Sequence, residues 1–128
     1  MSAVVTVIPV LYRDLGNFKV HGTLIADGAM TDAEWTTLRD SLDSGEYYLP
    51  LQLDLDFYGT DWGSYGDYGD DHPWHEMAVE EITVLDDGDD SWFGGNHVEH
   101  VGPIDTFVRR VEAAAAAGWD PQRYAPDA

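Results

Sequence analysis

Residues 4–12 read VVTVIPVLY, a run of β-branched side chains that predicts a first strand. Pro9 interrupts the run, and because proline cannot donate to a hydrogen-bond ladder it points to a sheet edge or a bulge. After the polar stretch 13–17, Phe18, Val20 and Leu24 share one parity, so 18–26 is expected to form a second strand, paired to the first as a hairpin. Thr31 and Glu34 have capping-box spacing, and Trp35, Leu38 and Leu42 then recur at helical spacing, with Gly45 placed to end the helix. From 47 to 57 the chain reads YYLPLQLDLDF. Leu49, Leu51, Leu53, Leu55 and Phe57 fall on one parity, which predicts a third strand with one buried face. Residues 75–85 predict a fourth strand, with a bend at Glu80-Glu81 where the apolar parity passes from Met77 and Val79 to Ile82 and Val84. Pro103 precedes the stripe Ile104, Phe107, Val108 and Val111, which runs into alanines 113–117 and closes at Gly118 as a second helix.

This order, β-β-α-β-β-α, predicts an α+β domain in which a four-stranded antiparallel or mixed sheet carries two helices packed on one face. Residues 59–71 hold glycine, aspartate, tyrosine and tryptophan but no aliphatic side chain, so an acidic aromatic loop is expected at about 58–74. A short C-terminal tail is expected from about residue 119. The 128 residues fit a single domain, 1–128.

Charge changes the picture more than size does. The net charge is -19, and no lysine or arginine lies between Arg39 and Arg109, an interval with eighteen aspartates and glutamates. Such a chain repels phosphate backbones and anionic lipid, so neither nucleic acid nor membrane is expected as a direct partner. A protein with a basic surface is the natural counterpart, and long-range attraction would speed the encounter. With 44% hydrophobic residues the chain still has the material for a packed core. Cysteine is absent, which removes disulfides, cysteine-type zinc sites and thiol nucleophiles together. The apolar run at 3–11 is too short to span a bilayer and lacks a basic flank, which points to a soluble, cytoplasmic protein.

The strings Tyr12-Arg13-Asp14, Asn17-Phe18-Lys19 and Gly22, the capped helix, Gly45-Glu46-Tyr47-Tyr48 with Pro50 and Gln52, and Asp71-His72-Pro73-Trp74-His75-Glu76 form a pattern. The chain resembles small uncharacterised bacterial and phage proteins with a YRD-x-x-N-[FY]-K opening and an aromatic-His-Glu segment. The resemblance covers most of the first 76 residues and supports the fold reading. It implies no activity and no catalytic residue, and the acidic run at 86–90 falls outside it.

Four of the five histidines form two His-x-x-His pairs, His72/His75 and His97/His100, with Glu76 and Glu99 nearby. Two such pairs converging on one centre would suit zinc and a small metal- or carboxylate-dependent enzyme. Spacing of three aligns ligands only on a helix, however, and Pro73 argues against one, so these histidines are assigned to backbone contacts and no metal or cofactor is expected. Asp86, Asp87, Asp89 and Asp90 surround Gly88 but lack the alternating pattern of a calcium loop. Arg13 and Lys19 flank the first turn as a minor candidate for a small anion.

Aromatic anchors among acids suit a protein-binding surface, since tyrosine and tryptophan fill pockets while carboxylates steer. The candidate partner-binding residues are Asp54, Asp56, Asp61, Trp62, Tyr65, Asp67, Tyr68, Asp70, Asp71, Asp86, Asp87, Asp89 and Asp90. The expected function is an acidic module that binds a basic partner surface, with a nucleic-acid-mimicking inhibitor of phage or mobile-element origin as its narrower form. Eighteen acids match the charge of about 30 Å of duplex axis at ~1.7 Å per charge. Adaptation to a salty cytoplasm, with the charge serving only solubility, is the competing explanation. Replacing Asp67, Asp70 and Asp71 by Asn should slow association with a basic partner, measured by stopped-flow, far more than it lowers stability. Unchanged on-rates would remove the steering argument.

Overall fold

The computed structural model describes residues 4–13, 19–58, 73–86 and 97–124. In chain order these form β1 (Val4–Arg13), β2 (Lys19–Asp27), α1 (Asp32–Ser41), β3 (Tyr47–Tyr48), a 3-10 turn (Pro50–Leu53), β4 (His75–Met77), a second 3-10 turn (Val79–Glu81), β5 (Thr83–Asp86), β6 (His97–Pro103) and α2 (Ile104–Ala117). The class is α+β with a mixed sheet, as the pattern predicts. Among the described residues the sheet has six strands rather than four, in the order β3-β4-β1-β2-β6, with β5 also pairing with β1. The expected hairpin is present: β1 and β2 run antiparallel from Val5↔Asp27 to Arg13↔Lys19.

Two signals noted separately in the sequence meet at one place. β4 pairs with β1 at Val10 and Leu11, and β5 pairs with the same edge of β1 from Val4 to Val7. Pairing lapses between them, where the chain makes the 3-10 turn Val79–Glu81. Pro9 faces this lapse: its carbonyl accepts the Ala78 N–H at 2.9 Å, and its nitrogen has no proton to offer the same edge. The parity switch at Glu80-Glu81 and the proline in β1 therefore have one cause, a neighbouring strand that leaves the ladder where it would find no donor.

The expected strand at 47–57 is the clearest correction. Only Tyr47 and Tyr48 pair, and Pro50 starts a 3-10 turn that ends at Asp54, whose φ of 63° and ψ of 35° are left-handed. The leucines remain buried at Leu49, Leu53 and Leu55, because the turn packs against α2 rather than lying in the sheet. Gln52 fastens it there: its amide donates to the carbonyls of Ala114 and Gly118 at the end of α2, and its oxygen accepts from the Asp120 N–H. Trp119, placed by the sequence at the start of a tail, is half-buried, and its indole donates to the Ser41 carbonyl.

β6 is a strand that the hydrophobic pattern did not announce, because His97, Glu99 and His100 break its alternation. It pairs parallel with β2, with a register shift between Ile25 and Ala26. Gly102, at φ 81°, lies at this irregularity, just before α2 begins at Ile104.

One core joins the sheet to both helices. Ile8, Val10, Tyr12, Leu24 and Ala26 from β1 and β2 meet Leu38 and Leu42 of the α1 region and Phe107, Val108 and Val111 of α2. Each large side chain fully buried this way contributes about 1.5–3 kcal/mol. On the opposite face Val5, Val7 and Ile25 form a smaller cluster with Leu85. Thr6 is fully buried yet satisfied, donating to the Gly28 carbonyl at 2.7 Å and accepting from the Met30 N–H at 3.0 Å, which anchors the turn into α1. α1 then starts on the expected capping box, with Thr31 accepting from the Glu34 N–H and Glu34 from the Thr31 N–H. Thr31→Ala should lower stability by about 1 kcal/mol, read from the urea midpoint at constant m-value.

Candidate functional site

Ten of the candidate partner-binding residues, namely Asp61, Trp62, Tyr65, Asp67, Tyr68, Asp70, Asp71, Asp87, Asp89 and Asp90, lie outside the described residues, as does His72. The other three are exposed but not gathered. Asp54 and Asp56 follow the first 3-10 turn beside β6, whereas Asp86 ends β5, with β1 and β2 between. The described carboxylates occupy both faces of the sheet: Glu99 is on the helix-covered side and Glu76 on the other.

A recess of about 390 Å³ forms where β4 gives way to the second 3-10 turn. Leu11, Met77, Ala78 and Val79 supply its apolar lining, and Glu46, Glu76, Glu80 and Glu81 its carboxylates. One of these carboxylates, Glu76, also pairs with the Arg13 guanidinium, Nε to Oε2 at 3.1 Å. That pair is partly exposed, so it contributes little to stability. Among the described residues no ion pair engages Glu46, Glu80 or Glu81. Tyr47, opposite Glu76 in the β3–β4 pair, has its hydroxyl held above the ordinary tyrosine value, chiefly by the charge of Glu46 and the hydrogen bond it donates to that carboxylate. Chemically the recess offers uncompensated negative charge beside apolar surface. That combination accepts a lysine or arginine side chain, whose stem is apolar and whose head is cationic.

Sequence reasoning placed no weight on Glu46, Glu80 and Glu81, and read Arg13 with Lys19. The parity switch at Glu80-Glu81 was the available signal, since a bend in a strand exposes the residues that make it.

Across the sheet the His97/His100 pair comes apart. His97 is paired with Gly22 and His100 with Ile25, positions of opposite parity in β2, so the two imidazoles point to opposite faces of the sheet. His75 is buried in an aromatic cage of Tyr12, Tyr48, Phe57 and Tyr58, with ring centroids 4.6–5.7 Å away. Its Nε2 accepts the Tyr58 N–H at 3.2 Å, so a neutral ring carries its proton on Nδ1. Among the described residues no three His, Asp or Glu side chains gather as a metal-ligating group.

Tyr58 is the hinge of this cluster. Its ring stacks on His97 at 4.2 Å and 11°, and its hydroxyl donates to Glu99 Oε1 at 3.3 Å. The ring lies directly over Gly22 of β2, where a side chain would meet Cε2 and Cζ at 2.6 and 2.7 Å. A glycine inside a strand is the sequence signal for such an approach. Tyr48, completely buried nearby, has its hydroxyl pushed well above the ordinary value, first by burial and then by Tyr58 and Glu99.

No protein family, curated protein or solved structure matches this chain. Gly22→Ala should lower stability by about 1–3 kcal/mol, since the new methyl overpacks a buried ring. Tyr58→Phe should not rescue it, because the ring carbons and not only the hydroxyl occupy that space. Rescue in denaturant titrations of the double variant would show that the ring does not lie over Gly22.

Proposed function

We propose that this protein is an acidic interaction module whose recess beside β4 receives a basic side chain from a partner protein. The observation that carries the reading is the grouping of Glu46, Glu76, Glu80 and Glu81 along one apolar recess, of which Glu76 already pairs with a guanidinium, that of Arg13. A partner cation would join a field of -19 net charge, which favours rapid, salt-sensitive association. Among the described residues no helix is long and apolar enough to cross a membrane. In its narrower form the module inhibits a nucleic-acid-binding protein by presenting carboxylates in place of phosphates. The net charge supports that form, while Asp54, Asp56 and Asp86 contribute from separate parts of the surface.

A fluorescein-labelled oligo-arginine peptide tests the recess directly by anisotropy. The triple variant Glu46→Gln, Glu80→Gln, Glu81→Gln should bind it roughly tenfold more weakly at low salt, with each exposed pair worth up to about 1 kcal/mol. Glu112→Gln, an exposed change on α2, should leave affinity nearly intact. Equal losses in both variants would reduce the effect to net charge and end the assignment to this recess. Displacement of a natural partner by duplex DNA would separate the mimic from a general basic-segment binder.

A further inference from the structure

β6 closes the sheet on one side, since among the described residues it pairs with β2 alone. The ladder fixes which of its backbone groups face outward. The Val4 carbonyl accepts the Gly28 N–H, so the even residues of β1 turn their polar groups towards β2, and the odd residues of β2 turn theirs towards β6. Thr23 lies opposite Val98 and Ile25 opposite His100 in the parallel pair, and parallel bonds run to the flanking residues, here His97, Glu99 and Val101. The N–H and carbonyl of Val98 and His100 therefore point away from the sheet, and among the described residues no hydrogen bond engages them. Residues 97–102 hold neither proline nor lysine, the usual guards of an exposed edge, and the irregular register begins only after His100.

We infer that this edge is a second docking surface, which takes an extended partner segment of alternating cationic and apolar residues as an added strand. Main-chain hydrogen bonds to Val98 and His100 would hold such a segment, and the two faces of β6 would select its side chains. On the helix-covered face Glu99 is half-buried, accepts the Asp56 N–H and stands beside the exposed Asp56, with Asp54 exposed two residues earlier. Arg110 donates to the Leu53 carbonyl instead, and among the described residues no ion pair engages Asp54 or Asp56. On the opposite face Val98 and His100 are exposed.

Side chains of a strand alternate between faces, so every second residue of the added strand would lie over Asp56 and Glu99 and the others beside Val98 and His100. Lysine or arginine suits the first set, and valine or isoleucine the second. A second copy of this chain, itself at -19, would be repelled from the same edge, which favours a basic partner over self-pairing. β1 and β2 separate this edge from the recess beside β4, so the two surfaces stand or fall independently.

A fluorescein-labelled peptide of alternating lysine and valine tests this on the full chain, with anisotropy reading binding and amide hydrogen exchange reading place. In the free chain the Val98 and His100 amides should exchange fast, while the Glu99 and Val101 amides, turned towards β2, stay protected. Saturating peptide should slow Val98 and His100 by about tenfold or more. A peptide of the same composition with all lysines before all valines should bind several-fold more weakly at low salt. Glu46→Gln, Glu80→Gln, Glu81→Gln should leave the slowing of these two amides in place, so failure of the recess and failure of this edge read out separately. Protection of Val98 and His100 already in the free chain, binding that leaves both amides fast, equal binding of the two peptides, or no binding at millimolar peptide would each overturn the inference.

Discussion

A central strand that cannot donate at one position organises half of this sheet. β1 holds a full antiparallel register with β2, but on its other edge Pro9 offers a carbonyl and no N–H. A continuous partner there would leave an acceptor unmatched inside the sheet. The chain instead supplies two short strands, β4 and β5, joined by a 3-10 turn that returns one N–H, from Ala78, to the Pro9 carbonyl. The recess lined by Glu46, Glu76, Glu80 and Glu81 lies beside that interruption, so a backbone constraint in β1 and a charged surface feature share one origin.

A second close approach organises the other half. Tyr58 can lie on β2 only because residue 22 has no Cβ, and its seat there puts the ring between His97 and His75 and the hydroxyl on Glu99. Buried polar atoms of this kind contribute order more than net stability, because each must find a partner with correct geometry. The Tyr58 N–H on His75 and the Asp56 N–H on Glu99 satisfy backbone donors that an irregular segment would otherwise strand. His75 thus holds a backbone N–H, and His97 packs on the ring of the same residue.

What the sequence determined by itself is what local physics determines. The β1–β2 hairpin, the capped α1 and the apolar stripe of α2 were legible because each follows from side chains within a few residues of one another: β-branching, the Thr31/Glu34 reciprocity, and repeats at three and four. The bend at Glu80-Glu81 was legible for the same reason, as a change of parity within one segment. Tertiary structure decided the rest. Leucines alternating from 49 to 55 satisfy a strand and a 3-10 turn equally well until α2 and Gln52 select the turn. β6 hides its alternation behind two histidines and a glutamate because its partners are Tyr58 over one face and β2 alongside, which lie 39 and about 75 residues away, and no window along the chain spans such distances. Which carboxylates stand together was decided the same way: charge can be counted along a chain, but its concentration depends on which strands become neighbours.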